Sequence, residues 1–470
     1  MTSPIGKFRE KSREAMASPL LGRALKNATD KFIAGRLGTL PQLGDPEQLK
    51  DEARAIKVRC IARLDKLTAQ FAESYRARGG QVHFAADAKE ARQILFSIAR
   101  ENAVKLVAKS KSMATEEIEL NHFLEGEGIE VVETDLGEYI IQLAKEKPSH
   151  IITPAIHKTK EQVSTLFHEK LGTPETPDIS EMTQTAKRVL REVFLNADMG
   201  VTGANFAVAE TGTLTLVTNE GNGRMVTSLP RIHVAVVGVE KIVEHLSDVP
   251  PLLKVLPASA TGQKITVYFS ILSGPRRAGE TDGPEQSHVI LLDNGRVDML
   301  GSDYRESLYC IRCGACLNVC PVYQAVGGHS YGGTYPGPIG AVVTPLLHDE
   351  DAKYPSALPQ ASSLCGACRE ACPVKIDLPR MLVSLRHDGA MNPIGGFSAR
   401  ISGIFEGLAF RVWAWTAKSP ARFHLAAGIA RWLFKVPGFK SLIKLMPPAS
   451  GWTFARELPE FPDTFGWERD

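Results

Sequence analysis

The chain is 470 residues long, with 43% hydrophobic and 23% charged residues; at about 150 residues per domain this allows roughly three domains. That composition excludes wholesale disorder and collagen-like repetition. Fifty-five basic against 53 acidic residues leave a net charge of +2, so the charge balance gives no reason to expect a nucleic-acid partner.

Near the start, Lys7, Arg9, Glu10, Lys11, Arg13 and Glu14 interrupt the apolar core that a secretory signal needs. No uncharged apolar run reaches about 18 residues, so no membrane-spanning helix is expected. The expectation is a cytoplasmic protein. Residues 1–45 read as a charged helical arm ending at Gly38 to Pro41. From Pro46 to about Arg78 a long amphipathic helix is predicted, with Ile56, Cys60, Leu64, Leu67 and Phe71 along one face. Cys60 reads there as a small buried apolar residue.

After Gly79-Gly80 the pattern alternates. QVHFA (81–85), KLVAKS (105–110), IEVVET (129–134) and HIITPA (150–155) read as short strands. Helices are predicted between them at 88–101, 115–127 and 137–145, and a further one at 179–198. NFAVAETG and TLTLVTN read as adjacent strands across Gly212, followed by HVAVVG, KITVYFSIL and HVILLDNG. Alternation of this kind predicts an α/β domain over 46–300, a parallel sheet with helices on both faces. A cysteine-rich domain follows over 301–390. Its stretch 327–340 holds six glycines in fourteen residues and is expected to be a loop. In the last region, 391–470, all five tryptophans lie in the final 60 residues, and Arg400 to Arg456 carries nine Lys/Arg against the single acidic Glu406.

Seven of the eight cysteines fall between 310 and 372. A long chain without an export signal does not carry a disulfide framework, so clustered cysteines indicate metal. Cys310, Cys313, Cys316 and Cys320-Pro321 follow C-x2-C-x2-C-x3-C-P, the bacterial ferredoxin run. Cys365, Cys368 and Cys372-Pro373 fit the same template with Ser362 at the first position. Zinc also binds C-x2-C pairs, but the complete run with its proline favours iron–sulfur. In this template the last cysteine of each group ligates the other cluster. Cluster one is therefore expected on Cys310, Cys313, Cys316 and Cys372, and cluster two on Cys320, Cys365 and Cys368. Two [4Fe-4S] clusters are expected. The corner of cluster two without cysteine leaves open a three-iron [3Fe-4S] cluster, a fourth iron held by Ser362 or water, or a partner's ligand. No G-x-G-x-x-G follows a strand and no phosphate-binding P-loop occurs. Two one-electron carriers without a hydride-handling motif indicate an oxidoreductase subunit that is not catalytic alone.

Both cysteine groups, together with VVETDLGEYIIQL (131–143), PSHIITPAIH (148–157), ADMGVTGANFAVAETGTLTLVTNEGNGRM (197–225), SATGQ (259–263) and GPRRAGETDGPEQSHVILLDNGR (274–296), resemble the lactate utilization protein B family. That family is the iron–sulfur subunit of a bacterial three-protein system that oxidises L-lactate to pyruvate. The resemblance implies a lactate-utilization (LUD) domain with a fold like the NagB/RpiA/CoA-transferase group, followed by an α-helical ferredoxin-type domain. It implies two partners, a cysteine-rich subunit with CCG-type domains and a smaller protein with its own LUD domain. A second reading is service to another 2-hydroxy acid such as glycolate. A reading of another class is a CoA- or acyl-binding enzyme on the LUD domain.

Weaker signals accompany these. Asn205, Glu210, Thr211, Asn219, Glu220, Asn222 and Arg224 cluster near strand ends, where open parallel sheets bind ligands. Glu210-Thr-Gly212 resembles the acyl-accepting glutamate of CoA transferases. Turn chemistry explains the same residues, with Arg224 pairing Glu220. His150 and His157 read as structural, and Lys109 and Lys111 as a solvated strand end. The aromatic and basic tail, with Trp413, Trp415, Phe423, Trp432 and Phe434, suits a partner surface or an anionic membrane face. A membrane-surface electron acceptor and a peripheral place at the inner membrane face follow as expectations.

Overall fold

Strand-forming and helix-forming stretches alternate from residue 81 onward, and the computed structural model shows the sheets they build. The structure describes residues 4–347, 355–391, 397–436 and 438–439. Its strands are β1 (Gln81–Ala85), β2 (Leu106–Lys109), β3 (Glu130–Glu133), β4 (Met199–Thr202), β5 (Phe206–Val208), β6 (Thr213–Thr218), β7 (Ile232–Gly238), β8 (Ile242–Val243), β9 (Tyr268–Leu272) and β10 (Gln286–Leu292). Six of them form one sheet in the order β1-β10-β7-β4-β2-β3, and every neighbour in it is parallel. Such a sheet is covered on both faces, so its inner strands are buried almost end to end, while the edge strands β1 and β3 keep exposed residues. All seven residues of β7 are buried. Val289 and Leu291 of β10 join one core, while Ile290 and Leu292 join the core on the opposite face, as the two-residue period of a strand requires.

The strands predicted across Gly212 are β5 and β6, an antiparallel pair. They belong to a second sheet, β8-β5-β6-β9, and not to the parallel one. HIITPA is not a strand. Residues 149–156 form bends and turns, because His150 Nδ1 accepts from the amides of Ile152 (3.0 Å) and Thr153 (3.2 Å) and Pro154 has no amide to give. KITVYFSIL shortens to β9. The long helix over 46–78 is two, α3 (Pro46–Ala62) and α4 (Leu64–Arg76), hinged at Arg63 with φ −124°. Its predicted stripe is nonetheless continuous: Ile56, Cys60, Leu64, Leu67 and Phe71 are all buried. The helix predicted at 115–127 breaks at Glu119, whose φ of 46° is left-handed. Part of the glycine-rich run is helical, since Gly337–Val343 forms a helix of about two turns with Pro336 at its N-cap. Among the helices that escaped the sequence reading are Lys160–Leu171, Val249–Thr261 and Leu378–Met391.

The N-terminal arm is α1 (Pro4–Met16) and α2 (Pro19–Leu43). The second runs past the expected stop and through Pro41. Pro41 has no N–H for the carbonyl four residues back, and Gly44, with φ 140°, terminates the helix three residues later. Gly35 lets α2 lie backbone to backbone on the helix Val249–Thr261: a Cβ on Gly262 would stand 2.4 Å from the Gly35 Cα. Thr39 Oγ1 donates to the Gly262 carbonyl at 2.7 Å across the same contact. α1 reaches the cysteine-rich region, where Phe8 meets Tyr331 edge to face at 5.8 Å. Residues Met1–Asp388 accordingly form one compact unit and Gly389–Asp470 a second. The second contains the helices Phe397–Ala417 and Pro420–Lys435. Trp413, Trp415 and Trp432 are exposed on them. Residues 440–470, with two of the tryptophans expected in the tail, lie outside the described residues.

Two histidines inside the parallel sheet give the fold an acid limit. Burial pulls His233 down to about 4, with His288 adding to the effect. Burial and the charge of His83 pull His288 down to about 4 as well. Both rings stay neutral in the folded chain while the unfolded chain protonates them near the ordinary 6.5. The unfolded state therefore binds more protons, and stability falls as pH drops from about 6.5 toward about 4. Thermal denaturation between pH 7.5 and 5 should show this slope. His233→Gln, which keeps a partner for Thr202 (Oγ1 to Nε2, 2.9 Å), should flatten it; an unchanged slope would refute the assignment.

Candidate metal centre

The cysteine-rich region repeats one backbone device. Arg312 (φ 60°) precedes Cys313 and Leu364 (φ 56°) precedes Cys365. Gly314 (φ 75°) and Gly366 (φ 88°) follow those cysteines. Left-handed residues on both sides of a cysteine turn successive N–H groups toward its sulfur, an anion-binding concavity. The Ala315 amide accordingly faces the sulfur of Cys313, and the Ala367 amide that of Cys365. Later in each repeat the sulfur of Cys320 accepts from the amides of Val322 and Tyr323, and that of Cys372 from Val374 and Ile376. The Ile376 contact is 3.4 Å, and the Arg312 amide meets Cys310 Sγ at the same distance. Cysteine thiolates with such amide contacts are the donor set of an iron–sulfur cluster.

Around a small cavity of about 20 Å³ stand Cys310, Cys313, Cys316 and Cys372, with Ile151, Ile311 and Ile339 among the apolar walls. Cys372 thus joins the first three although it is adjacent in sequence to Cys365 and Cys368. Burial pushes the thiols of Cys313 and Cys316 far above the ordinary range, reinforced by their neighbours in this set. Burial raises Cys372 to about 11. Cys320, Cys365 and Cys368 are the cysteines of the region that do not line this cavity. Cys368 is raised to about 12 by burial and by Cys320, with Cys365 adding. Exposed Cys365 is lowered instead, by the Ala367 amide and by Ser363. Buried thiols of this kind keep their protons until a metal displaces them. Among the described residues no three His, Cys, Asp or Glu side chains converge on one point as a single bound ion requires. The Ser362 hydroxyl accepts from the Leu364 amide at 3.1 Å. Cys60 is fully buried in its helical stripe.

Residues 68–292 match the LUD domain family, and residues 306–376 match the 4Fe-4S dicluster domain. Over 456 residues the chain is 44% identical to lactate utilization protein B of Bacillus pumilus, covering 96% of this chain and 94% of that protein. It is 43% identical over 456 residues to lactate utilization protein B of Geobacillus kaustophilus, covering 97% and 94%. The chain belongs to the lactate utilization protein B family. It is also 43% identical over 460 residues to the Escherichia coli protein named uncharacterized electron transport protein YkgF, covering 96% and 94%. An iron–sulfur cofactor in the cysteine-rich region follows from the dicluster match and the seven cysteines it spans or adjoins.

A second cavity, of about 400 Å³, opens in this family member at the carboxyl ends of β2, β4 and β7. Ligands of open parallel sheets bind at such ends. Asn205, Asn219, Glu220 and Asn222 line it, as does Lys111. Glu210, Thr211 and Arg224 do not. Glu210 accepts from the Leu246 amide at 3.1 Å, and Arg224 lies on the Tyr268 ring at 5.7 Å instead of pairing with Glu220. Glu220 accepts from the Leu136 amide at 2.9 Å. Lys109 is not solvated: it is wholly buried and pairs with Glu116 and Glu133. His150 is structural, held by Asn318 at 3.1 Å. Ile151, Ile311 and Arg312 line both this cavity and the smaller one among the cysteines.

Beneath the large cavity runs a buried charge network that the sequence reading missed. Arg296 Nη1 and Nη2 grip both oxygens of Glu117 at 2.9 and 2.8 Å, and its Nε donates to Glu240 at 2.6 Å. Glu117 also accepts from Asn294 and from the Tyr335 hydroxyl, each at 2.7 Å. Arg312 lies over the Tyr335 ring at 4.3 Å and 3.6 Å from Glu240. Burial alone would raise Glu240, but Arg296 and Arg312 outweigh it and hold it near 2. Burial pulls the Lys241 ammonium down to about 8 against the opposing charge of Glu240. One signal was available: the pair Glu240-Lys241 stands one residue beyond the largely apolar run HVAVVG, and a strand buried to its end carries such a pair into the fold.

Proposed function

We propose that the chain is the iron–sulfur electron-transfer subunit of a system that oxidises L-lactate to pyruvate. On this reading Cys310, Cys313, Cys316 and Cys372 hold one [4Fe-4S] cluster and Cys320, Cys365 and Cys368 hold the other, which retains one corner for water or a partner's ligand. The gathering of Cys372 with the first three cysteines around one small cavity supports it best, with the names of the relatives giving the substrate. The clusters, when bound, supply one-electron steps. The chain's own contribution is to bury their ligands and to aim backbone amides at the sulfurs, which sets a cluster's potential. Oxidation of the two-electron substrate then takes place with partners, a CCG-domain subunit and a smaller LUD-domain protein. The exposed aromatic and cationic helices of the second unit suit one of these partners or an anionic membrane face that leads to the acceptor. No described helix is long and apolar enough to cross a membrane.

Iron analysis tests the first half of the reading. Protein prepared without oxygen should be brown and hold about seven to eight irons per chain, two cubanes with one able to lose an iron. A colourless protein with stoichiometric zinc would overturn it. Lactate-dependent dye reduction by the three-protein mixture, abolished when this chain is left out, tests the second half.

A further inference from the structure

We propose that the 400 Å³ cavity binds a small organic acid, its carboxylate seated on the Lys241 ammonium beside the first cysteine set. The inference rests on the electron-transfer reading only for the choice of acid, the 2-hydroxy and 2-oxo monocarboxylates.

The charges that line the cavity are Lys111, Lys241, Arg296, Arg312, Asp135, Glu220 and Glu240. All but one are committed. Arg296 is held by Glu117 and Glu240, and Arg312 stands against Glu240 and Tyr335. Lys111 donates to the Ile152 carbonyl at 2.7 Å, with Glu138 3.9 Å away. Asp135 caps the helix Leu136–Ala144, and Glu220 is taken by the Leu136 amide. Lys241 has neither a hydrogen bond nor an ion pair among the described residues. It is half-buried, with part of its surface on the cavity wall. Glu240 beside it is already held by Arg296 and Arg312, so this partly buried cation has no hydrogen-bonded counter-ion of its own, which is costly, and a ligand anion removes that cost.

Two further observations define the ligand. The hydroxyls of Thr153 and Thr218, both on the cavity wall, are buried and unpartnered. They would serve a hydroxyl or keto oxygen next to the carboxylate. One free ammonium suits one carboxylate; a polyphosphate would need several free cations. The size lies in the range of small-molecule sites, about 300–1,000 Å³. Since Ile151, Ile311 and Arg312 wall this cavity and the cysteine cavity together, the bound acid would sit next to the first redox centre.

Equilibrium dialysis of the intact, iron-loaded chain against labelled L-lactate and pyruvate tests the site. The expected result is saturable binding of one acid per chain, weakened at least about tenfold by Lys241→Gln, as loss of a buried charge-assisted hydrogen bond implies, with iron content unchanged. In the unaltered chain, lactate or pyruvate should also shield Lys241 from amine-modifying reagents read by mass spectrometry, a measurement that does not depend on how the variant folds. Equal affinity in Lys241→Gln, absence of saturable binding, or shielding by inorganic phosphate but not by either acid would each overturn the proposal. If the three-protein mixture still oxidises lactate while this chain binds none, the site assignment fails and the electron-transfer reading stands.

Discussion

Replacing Cys372 with serine is expected to abolish the same electron paramagnetic resonance signal as replacing Cys313. Cys320→Ser should instead abolish the signal lost in Cys368→Ser. Each variant should retain about half of the iron, one cubane of four. The expectation runs against sequence proximity, because Cys372 is four residues from Cys368 and 56 from Cys316. It follows from the chain path: Cys372 closes the short helix Ala367–Ala371 and turns at Pro373, and its side chain lines the cavity of the first three cysteines. Cys60→Ser should leave both signals intact. If Cys372→Ser shares its phenotype with Cys365→Ser and Cys368→Ser alone, the crossed assignment is wrong. Loss of one cluster can unfold a small metal domain, so the variants are to be compared at matched iron content per chain.

Arg296→Met should cost about 3–5 kcal/mol of stability, the range for breaking a buried ion pair from one side. The size of the effect comes from what is left behind. Glu117 and Glu240 are both wholly buried, with side chains 0% and 3% exposed. Burial favours their neutral forms, and the Arg296 charge is what holds both below the usual carboxylate range. In the parent chain this network contributes stability above the ordinary carboxylate pKa of 4.5 and loses it as pH falls toward about 2. Without the guanidinium the sign reverses. The carboxyls prefer the proton, and the variant should regain part of its deficit as pH is lowered from 7 to 5. Glu117→Gln added to Arg296→Met should also recover part of the loss at pH 7. Chemical denaturation of the three proteins at both pH values checks this, and a deficit that is the same at each pH would refute it.

The parallel sheet was legible because most of its strands carry a short apolar run between helical segments, and the cysteine run because ferredoxin spacing has few other uses. What escaped was decided by contacts remote in sequence. HIITPA has the composition of a strand, but the ring of His150 claims its amides and Lys111, from 41 residues away, claims a carbonyl. Lys109 looks like a strand-end cation until Glu116 and Glu133 close over it. The Arg296 network draws on residues from 117 to 335, so no local window contains it. Conversely, the polar cluster around Asn219 to Arg224 was found by its composition, and its partition between cavity wall and surface was not, because that depends on which way each turn faces.

The arm formed by α1 and α2 has a bearing on how the protein is made. It precedes in the chain both parts of its seat, the helix Val249–Thr261 and the cysteine region, which holds Tyr331 against Phe8. During synthesis the apolar faces of Phe8 and Leu25, both buried in the finished protein, have nothing to cover them until most of the chain has emerged. Docking of α1 therefore waits on the cysteine region, whose own order is coupled to metal binding.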